Sequence, residues 1–122
     1  MSLKSLLLIL LSVGLSAVAQ VAMKAGVSGA TLHVGQDSVL ASYFAMLTAP
    51  KVLLGLLCYG LGALIWLRVL TMMDVSQAYP FVALGFVLTM LLGFLLLGET
   101  PHPTRLLGAG FILAGVWLIG MR

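Results

Sequence analysis

Charged side chains are scarce in this sequence. Of its 122 residues, six are Lys or Arg and three are Asp or Glu, which together make 7% of the chain. Soluble domains carry about 25% charged residues, and so few charges cannot cover a globule in water. This shortage excludes a soluble enzyme, a nucleic-acid-binding protein and a disordered chain. The 62% hydrophobic fraction instead predicts one small membrane domain.

Cysteine and clustered polar side chains are equally scarce. The single cysteine, Cys58, lies in an apolar run, which excludes a disulfide framework and a thiolate metal site. His33 and His102 stand alone, and the sequence has no nucleophile beside a base and no glycine-rich phosphate loop. We therefore expect no enzyme activity, no metal and no cofactor. The basic residues are scattered singly, so we expect no nucleic-acid partner either.

The charges divide the chain into four apolar spans. A helix needs about 20 mostly apolar residues to cross a bilayer, and an open sheet cannot satisfy its backbone in lipid. The runs are rich in Leu and show no alternation, so we predict an all-α membrane protein, a four-transmembrane-helix bundle in a single domain. The predicted helices cover residues of about 3–24, 51–73, 76–98 and 103–121.

The first span also has features of a secretory signal. Lys4 precedes a Leu-rich run, and Ala17-Val18-Ala19 imitates a cleavage site. The apolar character nevertheless continues to Met23, and Lys24 closes a full-length span. We therefore expect the first helix to be retained.

Only the first connection is long. Its first half, from Gly26 to Asp37, is predicted to be a loop. Residues of about 38–48 are predicted to form a short helix at the membrane interface, capped by Asp37 or Ser38. Its apolar residues fall on one face and are Val39, Leu40, Tyr43, Phe44 and Leu47.

The Lys and Arg residues give no membrane orientation. Four spans place both termini on one side, and the basic residues then divide three against three. Either six basic residues are too few to indicate the orientation, or the chain inserts in both orientations and forms an antiparallel pair. The two groups are Lys4, Arg68 and Arg122 on one side, and Lys24, Lys51 and Arg105 on the other.

A polar stripe follows one side of the first helix. Ser12, Ser16, Gln20 and Lys24 recur at every fourth residue and so share a face. The two serines can simply join helices to each other. The amide and the ammonium suit a phosphate or sugar headgroup, although the Lys24 side chain could instead reach to the membrane surface.

Other polar residues lie near the ends of the spans. Arg68 can clamp a phosphate through its guanidinium or reach to the surface as an ordinary interfacial cation. Trp66 and Tyr79 are interfacial aromatics unless they line a cavity. Asp74 and Glu99 are solvated or capping carboxylates, or carboxylates that couple transport. No acidic residue lies within a span, which argues against the transport of cations.

Small residues indicate where helices pack closely. Gly110 and Ala114 form a pair with small-x-x-x-small spacing. The residues predicted to serve packing are Gly85, Gly108, Gly110, Ala114 and Gly115.

Several short motifs together indicate a family. They are Ala19-Gln20 with Lys24, Trp66, Gln77-Ala78-Tyr79-Pro80, Leu84, Phe86-Val87, Glu99, Gly108, Phe111-Ile112, Gly115 and Gly120. With these motifs the chain resembles the small multidrug resistance type of EamA-like proteins in the drug/metabolite transporter superfamily. Within that group it is most similar to subunits of the aminoarabinose–undecaprenyl-phosphate flippase. Ser16 stands where the drug exporters have a membrane-embedded Glu, and Arg68 and Gly85 depart from the flippase subunits.

The resemblance implies translocation of a polyprenyl-phosphate-linked sugar across the bacterial inner membrane. The substrate-binding residues would be Ser16, Gln20, Lys24, Arg68, Tyr79 and Pro80. Two alternatives stay open, export of small cationic compounds and a non-transporting accessory subunit of a glycosyltransferase or carrier. The expected partners are membrane lipid, the lipid-linked sugar, and a second chain. That chain would be an antiparallel copy or a related small subunit.

Overall fold

Helices make up the whole of the described architecture. The computed structural model describes residues 2–33 and 39–121, which contain no strand. The elements in chain order are α1 (Leu3–His33), α2 (Val39–Thr48), α3 (Pro50–Leu70), α4 (Val75–Ala78), a 3-10 turn (Tyr79–Phe81), α5 (Val82–Leu96) and α6 (Pro103–Gly120). Four segments are long and apolar enough to cross a membrane, namely Leu3–Ser28, Pro50–Leu70, Val75–Leu96 and Pro103–Gly120. The predicted all-α fold with four membrane-crossing helices is confirmed.

The first helix is longer than the sequence predicts. The predicted loop from Gly26 to Asp37 is wrong over its first part, because α1 continues to His33. Gly26 lies where α3 begins, and a Cβ built on it would be 2.5 Å from Cγ2 and 2.7 Å from the backbone N of Val52. The glycine therefore allows two helices to approach rather than ending one. Residues 34–38, which include both predicted cap residues of α2, lie outside the described residues.

The contact between α1 and α3 is the closest in the bundle. The two helices run antiparallel, so that Gly26 lies beside the start of α3 and Ser12 lies further along it. A Cβ on Gly55 would be 2.9 Å from the Ala19 carbonyl oxygen. The Ser12 hydroxyl donates a hydrogen bond of 2.7 Å to the carbonyl oxygen of Gly62. Small residues thus bring the two backbones together along most of their shared length, which fixes the register of the pair.

Proline interrupts the third span near its start. Pro80 has no backbone N–H to donate, and the chain tightens there into the 3-10 turn between α4 and α5. Ala78 and Phe81 are buried at this turn. They belong to an apolar cluster that draws on all four spans and consists of Ile9, Val13, Val69, Ala78, Phe81 and Val116.

The predicted packing residues divide into two groups. Gly85 packs inside the chain, because a Cβ there would be 3.1 Å from Cγ1 of Val13. On α6 only Ala109 and Val116 are buried. Open space surrounds the Cα atoms of Gly108, Gly110 and Gly115, and Ala114 is exposed. Within the described part of the chain these four residues have no packing role, so their role stays a prediction that involves a second chain.

The short helix α2 exposes its apolar side chains. It contacts both α1 and α3. Its exposed residues include all five that the sequence assigns to one face, namely Val39, Leu40, Tyr43, Phe44 and Leu47. The location of α2 at the bilayer surface stays a prediction.

Candidate functional site

A groove lined by both apolar and polar side chains opens between α1, α3 and the third span. Its volume is about 250 Å³. The elements around it are held by the α1–α3 contact on one side and by Gly85 against Val13 on the other. Its polar lining consists of Ser12, Ser16, Gln20, Tyr59, Trp66, Tyr79 and Thr89. Small, aliphatic and Phe side chains complete the lining, so that among the described residues around the groove none is charged.

The polar stripe of α1 forms one wall. Ser12, Ser16 and Gln20 all face the groove, as their spacing of four residues predicts. Ser12 is buried and its hydroxyl is already bonded to the Gly62 carbonyl, so it serves the helix contact. Ser16 is half-buried and Gln20 is exposed. These two side chains therefore remain to meet a ligand.

Two aromatic residues form one end of the groove. The rings of Trp66 and Tyr79 meet edge to face, with centroids 6.4 Å apart and planes at 74°. Tyr79 belongs to the 3-10 turn, and its side chain is 61% exposed. Pro80 is half-buried and does not line the groove; it contributes by shaping the turn that carries Tyr79.

Among the polar residues of the groove, two are absent from the sequence-based prediction, Tyr59 and Thr89. Tyr59 precedes Trp66 by seven residues, which is two helical turns, so a signal for its face was present. Thr89 is the one hydroxyl residue inside α5. Because no charge marks either residue, they look like ordinary members of apolar spans.

The two predicted phosphate ligands lie at opposite ends of the bundle. Lys24 is exposed and follows Gln20 by one helical turn on the same stripe. Arg68 is exposed near the end of α3 and follows Trp66 by two residues, which is about 200° around the helix. Arg68 therefore points away from the groove. Within one chain the structure does not bring the two cations together.

The two candidate coupling carboxylates lie outside the groove. Asp74 is exposed before α4, where its carbonyl oxygen accepts backbone hydrogen bonds from Gln77 and Ala78. Glu99 follows α5, and a Cβ built on Gly93 would be 3.1 Å from its Oε2. Asp74 and Glu99 thus lie just outside the two ends of the third span. Among the described residues, no group of acidic, His or Cys side chains could hold a metal ion.

Comparisons with family models and with known proteins both identify transport proteins as relatives of this chain. The model of the EamA-like transporter family matches residues 3–121. One relative is a protein from Pseudomonas savastanoi pv. phaseolicola, named probable 4-amino-4-deoxy-L-arabinose-phosphoundecaprenol flippase subunit ArnE. It is 36% identical to this chain over 108 residues, which are 88% of this chain and 90% of that relative. A protein of the same name from Pseudomonas fluorescens is 36% identical over 115 residues, with 94% and 96% covered. No solved structure matches the chain.

Proposed function

Because the chain belongs to the EamA-like transporter family, we propose that it is a subunit of a flippase for a polyprenyl-phosphate-linked sugar. We place this subunit in the bacterial inner membrane, since the relatives are bacterial proteins named as flippase subunits. Support comes from relatives that are named as flippase subunits for an arabinose derivative on phosphoundecaprenol. The chain itself performs no chemical step in this proposal.

The polar side chains of the groove carry the proposal. In α1, Ser16 lies about 20 Å along the helix from Leu3, which is the middle of an apolar segment of 26 residues and about 39 Å. Polar side chains at that depth are costly unless they face a protein interior or a water-accessible path. The groove provides that path between α1, α3 and α5. A lipid tail can stay in the bilayer while its headgroup crosses along the groove.

The phosphate of such a lipid needs a cation. Lys24 is the cation on the groove stripe, one turn beyond Gln20. We assign the phosphate to Lys24 on that basis. Arg68 lies on the far side of α3, so a phosphate contact by Arg68 requires a second chain.

A second chain completes the proposed carrier. The relatives are named as subunits, and α6 leaves Gly108, Gly110 and Gly115 without packing partners in the described part of this chain. An antiparallel copy fits the equal division of Lys and Arg between the two sides, and would also place an inverted repeat beside the first. A related small subunit is the other possible occupant.

The groove supports neither alternative function, export of small cations or a non-transporting accessory role. Export of small cations generally requires a carboxylate within the membrane, and none lines the groove among the described residues. A purely accessory subunit would have no need of a groove with polar side chains at mid-membrane depth.

Reconstitution tests the proposal. The purified chain, in liposomes that contain a short-chain polyprenyl-phosphate sugar, should expose the sugar of the inner leaflet to a membrane-impermeant oxidant. Ala63→Phe fills the groove and should reduce this exposure several-fold. Leu64→Phe is the matched control, because Leu64 is 64% exposed beside Ala63 and lies outside the groove. Equal exposure with and without the protein, also after a related small subunit is added, would reject translocation by this chain. Exposure that appears only when that subunit is added would show that the second chain is the related subunit and not a copy.

A further inference from the structure

We infer that Glu99 binds a positively charged group of the sugar, an ammonium, at the end of the groove where Lys24 holds the phosphate. This inference rests on the proposed function and assigns the residue that distinguishes an amino sugar from a neutral one. It is carried by the place of the Glu99 carboxylate, which lies against Gly93 of α5.

The end of α5 fixes the backbone of Glu99. Gly98 has a φ of 68°, the left-handed conformation that commonly ends a helix. The N–H groups of Leu97 and Glu99 both donate to the carbonyl oxygen of Gly93, at 3.2 Å each. The chain thereby folds back over the last turn of α5. A Cβ built on Gly93 would be 3.1 Å from Oε2 and 3.3 Å from Oε1 of Glu99, so the glycine makes room for the carboxylate.

Gly93 lies on the face of α5 that lines the groove. It follows Thr89 by one helical turn and Gly85 by two, and both of these residues line the groove. Gly93 itself is buried. The carboxylate that covers it therefore lies at the end of the groove, one turn beyond Thr89.

The same end of the groove carries Lys24. Val13 packs against Gly85, and the apolar cluster contains the residues four positions earlier in both spans, so α1 and α5 run in the same direction. Eight residues beyond this contact, Gly93 is about level with the turn of α1 that precedes Lys24. A carboxylate from the α5 side and an ammonium from α1 thus flank one end of the groove.

The position of the Glu99 carboxylate is unfavourable without a cation. It lies against the C-terminal turn of α5, where the carbonyl groups carry partial negative charge. Within the described part of the chain, no ion pair and no side-chain hydrogen bond engages this carboxylate. A cationic group that arrives there meets both the carboxylate and the negative end of the helix dipole.

Two opposite charges at one end of the groove match a headgroup that carries both signs. The relatives are named for a lipid that combines an amino sugar with a phosphate. With the phosphate beside Lys24, the ring reaches across the end of the groove and its ammonium meets Glu99. A neutral sugar makes only the contact with Lys24, so Glu99 adds affinity for an amino sugar alone.

Binding of two matched lipids measures the contribution of Glu99. The full chain, with the second subunit where reconstitution requires one, is titrated in detergent micelles in a scintillation proximity assay. The two tritiated ligands are short-chain prenyl phosphates, one carrying 4-amino-4-deoxy-L-arabinose and the other L-arabinose. Glu99→Gln keeps the shape of the side chain and the backbone hydrogen bond to Gly93 but removes the charge. It should weaken binding of the amino conjugate about five-fold, as expected for an exposed ion pair, and leave the neutral conjugate unchanged.

Two further variants separate charge from position. Gly93→Ala keeps the charge of Glu99 but pushes the carboxylate from its place, so it should also weaken binding of the amino conjugate alone. Asp74→Asn is the matched control, because it removes a carboxylate beyond the opposite end of the third span and should change binding of neither conjugate. Circular dichroism of each variant verifies that the helices are intact.

The outcomes separate this inference from the proposed function. Equal loss for the two conjugates in Glu99→Gln would mean that Glu99 only shapes the end of α5. Unchanged binding of the amino conjugate would mean that its ammonium binds elsewhere. Both results overturn the inference and leave the flippase proposal standing. If the unmodified protein binds neither conjugate, the flippase proposal is rejected, and the inference with it.

Discussion

Replacing Gly26 by Ala should weaken the contact between α1 and α3. The new methyl group would be 2.7 Å from the backbone N of Val52 and 2.5 Å from its Cγ2. A backbone atom cannot move alone, and a β-branched side chain has few other rotamers in a helix. The start of α3 must therefore shift away from α1. Overpacking of this kind typically costs about 1–3 kcal/mol.

A matched substitution in the same helix isolates this cost. A Cβ built on Gly14 meets no atom within 4 Å. Gly14→Ala and Gly26→Ala both gain about 1 kcal/mol from the higher helix propensity of Ala, so this term cancels between them. The free energy of unfolding should therefore be about 1–3 kcal/mol lower for Gly26→Ala than for Gly14→Ala.

Unfolding by SDS in mixed micelles, followed by circular dichroism, measures the difference. The double variant Gly26→Ala/Val52→Ala removes Cγ2 but keeps the backbone contact, so it should recover part of the loss in a double-mutant cycle. If Gly26→Ala and Gly14→Ala unfold at the same SDS fraction, the close approach of α1 and α3 at this point is refuted.

Three further predictions follow from the same contacts. Ser12→Ala removes the hydrogen bond to Gly62 and should lower the free energy of unfolding by about 0.5–1 kcal/mol, a loss that SDS titration would detect; no loss would show that the bond contributes nothing. Lys24→Gln should weaken binding of the lipid phosphate and reduce the salt dependence of that binding, and Arg68→Gln should have a smaller effect on the single chain. A larger effect of Arg68→Gln in a binding titration would contradict the assignment of the phosphate to Lys24. A reporter cysteine near the C-terminus, in a Cys58→Ser background, should react with impermeant reagents from both sides of the membrane; complete labelling from one side alone would exclude the antiparallel homodimer.

The spans could be predicted from the sequence because lipid leaves few choices. Apolar runs of sufficient length must be helices there, and the charges that bound them are easy to locate. The continuation of α1 beyond Lys24 could not be predicted in the same way. Gly26 looks like a helix breaker when only its neighbours in sequence are considered. Its actual role depends on Val52, which is 26 residues away in the chain.

The candidate site could be predicted only in part. Ser16 and Gln20 could be predicted as site residues, because their four-residue spacing places them on one stripe of α1 without knowledge of any other helix. Tyr59 and Thr89 were missed because a single uncharged polar residue in an apolar span gives no sign of what it faces. Whether Arg68 faces the groove could not be predicted, because this depends on how α3 is rotated about its axis. That orientation is set by Gly55 and Gly62 against α1.

The spanning helices differ in length, and the surrounding bilayer must adapt to the difference. The apolar segment of α1 has 26 residues and α6 has 18. These lengths correspond to about 39 Å and 27 Å, against a hydrocarbon core of about 30 Å. Hydrophobic mismatch of this kind is relieved by tilt of the long helix and by local thinning beside the short one. Because α3 is joined to α1 along its length, the two should lean together, and the thickness of the host membrane should set the angle at which the groove meets the lipid.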